Sequence, residues 1–207
     1  MKRETKTALS RQRILDAALE VFSRKGYEGA ALNTICSEKG ISKGIIYHYF
    51  SGKDALYLLC VEQCFDSFTA CLQQAVESFH GSAQEKLRDY FDARLRFFAD
   101  NPLYLGIFAD AVFNTPAALS EEIARRRQGF DQLNLSVLTG LMRSQPMRSG
   151  LSPEAVAEDF RAYMDYFNLG FRADVCSGRP LKEILVEHEE RCHRQLDILL
   201  HGVLCEK

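Results

Sequence analysis

The sequence predicts an all-α chain of about nine helices, and three observations carry that expectation. Apolar residues recur at helical spacing throughout, no run of period-two alternation is present, and capping residues punctuate the chain at intervals a helix would span. At 207 residues the chain can bury a sizeable core, as one large domain or as a small domain joined to a larger one.

Taken in order, the first helix is expected from Ser10, a good N-cap, to Gly26, a good C′ residue, with Ile14, Ala18, Val21 and Phe22 as its apolar stripe. A short second helix, Leu32 to Lys39, is stopped by Gly40. Ser42 caps a third that ends near Phe50, and Lys53 or Asp54 opens a long fourth reaching about Phe79. The fourth is apolar on more than one side, so several neighbours should cover it. "SAQE", Ser82 to Glu85, has capping-box spacing and starts the fifth. Asn101, Thr115 and Ser152 each place a capping side chain before a proline and start the next three, and Pro180 opens the last.

Composition excludes several classes. No uninterrupted apolar run approaches the roughly 20 residues of a membrane helix, and the basic start "MKRETKTALSRQR" leads into an amphipathic segment, not a signal peptide. No membrane association is expected. Seven cysteines, an odd number without framework spacing, point to reduced thiols and a cytoplasmic location. Charge is unevenly placed. Residues 1–53 hold 10 Lys/Arg against 5 Asp/Glu, and the remainder holds 16 against 23. A basic head on an acidic body fits a polyanionic partner at one end.

The stretch "GISKGIIYHYFSGKDAL", Gly40 to Leu56, gives that head a chemistry. At about 100° per residue, Ser42, Ile46, Tyr49 and Phe50 share one arc, while Lys43, Gly44, Tyr47 and His48 share the other, with Ile45 at its margin. Ile46 and Phe50 can anchor the helix. The opposite arc offers a cation, an imidazole, a phenol and a glycine that lets backbone approach a duplex closely. A helix ending at Gly40, a tight turn and a capped helix together make a helix-turn-helix, with Lys53 placed to grip a phosphate. The partner expected is double-stranded DNA.

The run "GYEGAALNTICSEKGISKGIIYHYFSGKDAL", Gly26 to Leu56, resembles the DNA-binding segment of the TetR family of transcriptional regulators. The elements that carry the resemblance are "GY", an Ile in the second helix, "GIS", "KG", "YHYF" and a lysine three residues later. The resemblance implies a helix-turn-helix DNA-binding domain over 1–53 and a helical effector-binding and dimerisation domain over 54–207. It also implies DNA contacts at Ser42, Lys43, Gly44, Ile45, Tyr47, His48 and Lys53. Ala31 stands where the family commonly has a phosphate-contacting threonine, and Cys36 where alanine is frequent. Ile45 replaces a small polar residue, favouring an apolar partner such as a thymine methyl.

The family implies a small effector and pairing through the last two helices. Apolar stripes at Phe160, Gly170, Leu185, Cys192, Leu196 and Leu199 are the expected homodimer interface. Gly170 in a helix interior fits close approach of another helix. Among many aromatics, Tyr104, Phe108, Tyr163 and Phe167 are chosen as effector lining, with Arg94 and Asn168 as polar contacts, and the effector is expected to be small and apolar or aromatic. The function expected is a ligand-responsive, homodimeric repressor released from a palindromic operator, with no cofactor, metal or catalytic residue. A helical enzyme or a thiol- or metal-responsive sensor is the alternative. "HEERCH", His188 to His193, has Cys192 where a zinc-protease motif needs histidine, and Cys60 and Cys64 read as small core thiols.

Overall fold

A computed structural model describes residues 2–144, 146–175 and 178–203, with side chains described from Leu9 onward except at 145, 170, 172, 173, 175–177 and 204–207. Nine α-helices are present among the described residues: α1 Lys2–Gly29, α2 Leu32–Lys39, α3 Lys43–Tyr49, α4 Lys53–Glu77, α5 Ala83–Asp100, α6 Pro102–Phe113, α7 Ser120–Arg143, α8 Pro153–Val175 and α9 Leu181–Val203. The fold class is all-α.

Local chemistry explains most of the boundaries. The Ser82 hydroxyl accepts from the Glu85 N–H at 3.2 Å while the Glu85 carboxylate accepts from the Ser82 N–H at 2.8 Å, a complete capping box before α5. The Ser152 hydroxyl accepts from the Ala155 N–H at 3.2 Å and opens α8. Two starts differ from expectation. Ser10 lies inside α1, which begins at Lys2, because the sequence before it is as helix-compatible as the sequence after it. Thr115 donates back to the Ala111 carbonyl at 2.6 Å, and Pro116 leads a 3-10 turn over Ala117–Leu119, so α7 waits until Ser120. Gly26 takes φ 65, ψ 178 and kinks α1, but one further turn follows it to Gly29.

Packing divides the chain into two compact units, each with its own core. One comprises the chain to Phe65 with Asn101–Arg127. Here α6 packs along α1, and α1, α2 and α3 form a tripod. Ile14, Ala18, Val21 and Phe22, the expected stripe, are buried with Ile35, Ile46, Leu56 and Tyr57. The other unit comprises Asp66–Asp100 and the chain from Gln128. Its core is aromatic. Phe68 meets Phe97, Phe98 and Phe130 with ring centroids 4.8, 4.7 and 5.2 Å away, and α9 packs on α5 and α8.

By length and composition α4 would pass for a membrane span, which counting uninterrupted runs misses, yet half of its most apolar window is buried inside the fold. That is the pattern of a core helix.

Candidate nucleic-acid interface

Two caps and two anchors set the orientation of α3. Gly40 (φ 62, ψ 31) ends α2 with its N–H on the Cys36 carbonyl, a conformation that favours glycine. Two residues later the Ser42 hydroxyl accepts from the Ile45 N–H at 3.3 Å and starts α3. Ile46 (0 % exposed) and Phe50 (6 %) are then driven into the tripod, each burial worth about 1.5–3 kcal/mol. With that face fixed, Ser42, Lys43, Gly44, Ile45, Tyr47 and His48 all point to solvent. Ile45 and Tyr47 are 47 % and 52 % exposed, an unusual display for two large apolar side chains on one short helix. The Lys43 ammonium lies 5.9 Å from the Tyr47 ring centroid, and the His48 ring meets Tyr49 edge-on at 4.8 Å.

At α2, Ala31 occupies the N-cap position with no side-chain bond, as its methyl dictates; the Thr34 N–H bonds the Ala31 carbonyl instead. Cys36 is half-buried. Ion pairs from Lys39 to Glu20 and from Arg24 and Lys25 to Glu38 tie α2 to α1. Being largely exposed, they hold orientation more than they add stability.

Lys53, at the first position of α4, is half-buried, and its ammonium sits 4.0 Å above the Tyr27 ring. The Tyr27 hydroxyl donates to Asp54 at 2.7 Å, and that bond, with burial, pushes the phenol up to about 12, so it stays a donor. The Tyr27 N–H donates to Asp110 of α6 at 2.8 Å, and the buried Tyr57 hydroxyl donates to the same carboxylate oxygen at 2.7 Å. Sequence reading used Tyr27 only as part of the "GY" that carries the family resemblance, and did not single out Asp110. The available signal for Asp110 was its position as the one charged residue of "PLYLGIFADAVF".

The expected effector residues are shared between the two units. Phe108 is core in the first unit, 5.8 Å from Phe65 and 6.1 Å from Phe113, and the Tyr104 carbonyl accepts from the Cys64 thiol. Tyr163 and Phe167, in the second unit, stack at 5.9 Å along α8. Arg94 and Asn168 are engaged within the protein. Arg94 forms a bidentate pair with Glu189, its Nη2 at 2.9 Å, and four aromatic rings surround its guanidinium. Asn168 Oδ1 is 2.9 Å from His188 Nε2.

The expected dimer residues divide as well. Leu185, Cys192 and Leu196 are enclosed by the chain's own core, because the side of α9 that carries them faces inward. Phe160 and Leu199 are half-buried and line an open groove of about 260 Å³ with Asp159, Tyr163, Gln195 and Ile198. Gly170 lies within α8, but its surroundings fall outside the described residues.

Burial raises the thiols, Cys60 to about 12 and Cys64 and Cys192 further still, so none of these three is a ready nucleophile at neutral pH. Among the described residues no three His, Cys, Asp or Glu side chains are grouped to hold a metal. In "HEERCH" the Cys192 sulfur is 3.7 Å from both His188 ring nitrogens, and Glu189 is held by Arg94.

Comparison with known proteins agrees with this geometry. Residues 14–60 match the family model described as bacterial regulatory proteins, tetR family. The transcriptional regulator RutR of Escherichia coli is 27 % identical over 143 residues, covering 69 % of this chain and 66 % of that protein. UidR of the same organism is 35 % identical over 77 residues, 37 % of this chain and 39 % of its own length. The alignments therefore span just under two thirds and well under half of these relatives. In overall fold the chain is similar to the regulator FadR of Bacillus subtilis, solved in complex with stearoyl-CoA, with TM-score 0.65 at 18 % identity over 90 % of this chain and 97 % of that one. The geometry of α3 and the family match agree: residues 14–60 carry the helix-turn-helix segment of the TetR family of bacterial regulatory proteins.

Proposed function

We propose that this chain is a homodimeric, ligand-responsive repressor, with residues 1–53 as a DNA-reading head and 54–207 as the effector-binding and dimerisation body. The observation that carries the reading is the outward face of α3. Lys43, Gly44, Ile45, Tyr47 and His48 are exposed together while Ile46 and Phe50 hold the helix from behind. Lying in a major groove, Tyr47 and Ile45 meet base edges and thymine methyls, while Ser42, Lys43, His48 and Lys53 meet phosphates.

Pairing is proposed through the outer faces of α8 and α9. Tyr166 (76 %), Leu169 (66 %) and Ile198 (58 %) are exposed large apolar side chains on these two helices, and Ile198 lines the groove with Phe160 and Leu199. A two-fold dimer then reads two half-sites about one turn of DNA apart. The effector proposed is small and mostly apolar. Long-chain acyl thioesters belong in a first panel, since a regulator of the same fold was solved with stearoyl-CoA. Release follows if the effector favours a dimer whose head spacing no longer matches the operator. A cytoplasmic location goes with this role.

Selection of binding sites from a random duplex pool, followed by mobility shift, tests the reading. Enrichment of a palindrome with half-sites about one turn apart is expected. Enrichment of no sequence at low salt overturns it.

A further inference from the structure

We propose that Asp110 of α6 is a positioning residue for DNA binding: through Tyr27 it holds the aromatic shelf from which Lys53 is presented to a DNA phosphate. The inference rests on the DNA-binding reading above and adds to it a residue far from the recognition helix in sequence.

The chain of contacts is short and lies within one packing unit. Asp110 Oδ2 accepts from the Tyr27 backbone N–H at 2.8 Å and from the Tyr57 hydroxyl at 2.7 Å, and Oδ1 lies 3.3 Å from Asn114 Nδ2. The carboxylate is therefore a hub that fixes the end of α1 against α4. The Tyr27 side chain continues the connection. Its hydroxyl is held by Asp54 at 2.7 Å, and its ring carries the Lys53 ammonium at 4.0 Å. Lys53 and Asp54 are the first two residues of α4, where backbone N–H groups are free of intrahelical partners and favour a phosphate.

The local sequence is built for this approach. Gly26 adopts φ 65, and a Cβ placed there would come within 2.7 Å of Asp110 Oδ1. One helical turn before Asp110, Gly106 brings α6 so near α1 that any side chain there would collide with the Ser23 carbonyl. Two glycines, one on each helix, thus admit the carboxylate to the kink of α1, and the four-residue spacing of Gly106 and Asp110 puts both on one face of α6. A carboxylate that is 7 % exposed in an otherwise apolar helix would be costly without these donors. Its bonds reach the element that presents Lys53.

The test uses the full chain and a palindromic duplex selected as above, with affinity followed by fluorescence anisotropy as KCl is raised. The unaltered chain must bind, and Lys53→Ala must flatten the plot of log affinity against log salt by about one unit, the loss of one phosphate contact. Failure at this stage overturns the DNA reading, and this inference with it. With that in place, Asp110→Ala is expected to flatten the slope by the same amount and to weaken binding roughly fivefold at fixed salt, the equivalent of one ordinary hydrogen bond. Asp110→Asn, whose carbonyl can still accept from Tyr27 and Tyr57, is expected to restore both. The Lys53→Ala, Asp110→Ala double variant should be no flatter than Lys53→Ala alone. A wild-type slope in Asp110→Ala overturns the inference even if that variant melts lower. Should Asp110→Ala fail to fold, Tyr27→Ala, which keeps the backbone N–H on Asp110 and removes only the shelf, carries the question. It is expected to match Lys53→Ala, and an unchanged slope overturns the proposal.

Discussion

Replacing Glu189 by alanine should be among the most damaging single changes to the C-terminal unit. Arg94 and Glu189 are 7 % and 1 % exposed, and both guanidinium contacts to the carboxylate are made inside the core. Burial on its own would raise the Glu189 carboxyl, but the Arg94 charge and hydrogen bonds outweigh it and hold the group well below its ordinary 4.5. Removing the carboxylate strands a buried cation, which costs about 3–5 kcal/mol. Asn134, 3.3 Å from Arg94 Nη1, and the rings of Phe68, Tyr90, Phe91 and Phe130 at 5.4–6.0 Å recover part of that, so the low end, about 3 kcal/mol, is expected. For a chain of this length each kcal/mol lowers the melting temperature by about 2–4 °C, so thermal unfolding should shift down by roughly 6–12 °C. Linkage gives an independent check. The folded carboxyl is depressed, so the folded chain binds fewer protons than the unfolded one below pH 4.5, and the stabilisation, complete above that value, is lost as pH falls further. The acid limb of the stability curve should therefore be shallower in Glu189→Ala. A paired Arg94→Met, Glu189→Leu variant removes both charges and should recover most of the loss. A shift under about 2 °C in Glu189→Ala, or a double variant less stable than the single, would refute the reasoning.

Two further outcomes test the reading head and the pairing face. Tyr47→Ala, which removes an exposed ring that supports no core, should narrow the affinity gap between operator and random duplex by about tenfold while leaving the melting temperature within about 1 °C; binding measured on both duplexes checks it, and an unchanged gap removes Tyr47 from base recognition. Tyr166→Glu combined with Ile198→Lys puts charges on the most exposed apolar positions of α8 and α9 and should convert a dimer to monomer in sedimentation without unfolding it; a dimer of unchanged strength places the interface elsewhere.

How much of this could be read in the sequence follows from the range of the forces involved. The facing of α3 was legible nearly residue by residue, because its geometry is set locally. A glycine stop at Gly40, a hydroxyl cap at Ser42 and two apolar anchors at Ile46 and Phe50 fix which way seven residues face, whatever lies beyond. The helix starts at Ser82 and Ser152 were legible for the same reason. The start at Ser10 failed because a good cap does not begin a helix where the preceding residues are equally willing to be helical. The body was legible in helix count but not in the facing of its stripes. On α9 the residues Leu185, Cys192 and Leu196 lie toward the core and Ile198 toward solvent, and helical periodicity alone cannot say whether an apolar stripe meets its own chain or a second copy. The same limit hid Asp110 and Glu189, whose partners lie 83 and 95 residues away in sequence. Both nevertheless carried a visible sign, an acid inside or beside an apolar stripe. Since a buried carboxylate persists only where donors meet it, such a residue marks in advance a place where two distant segments must be brought together. In this chain one of those places stabilises the body, and the other holds the element that carries Lys53.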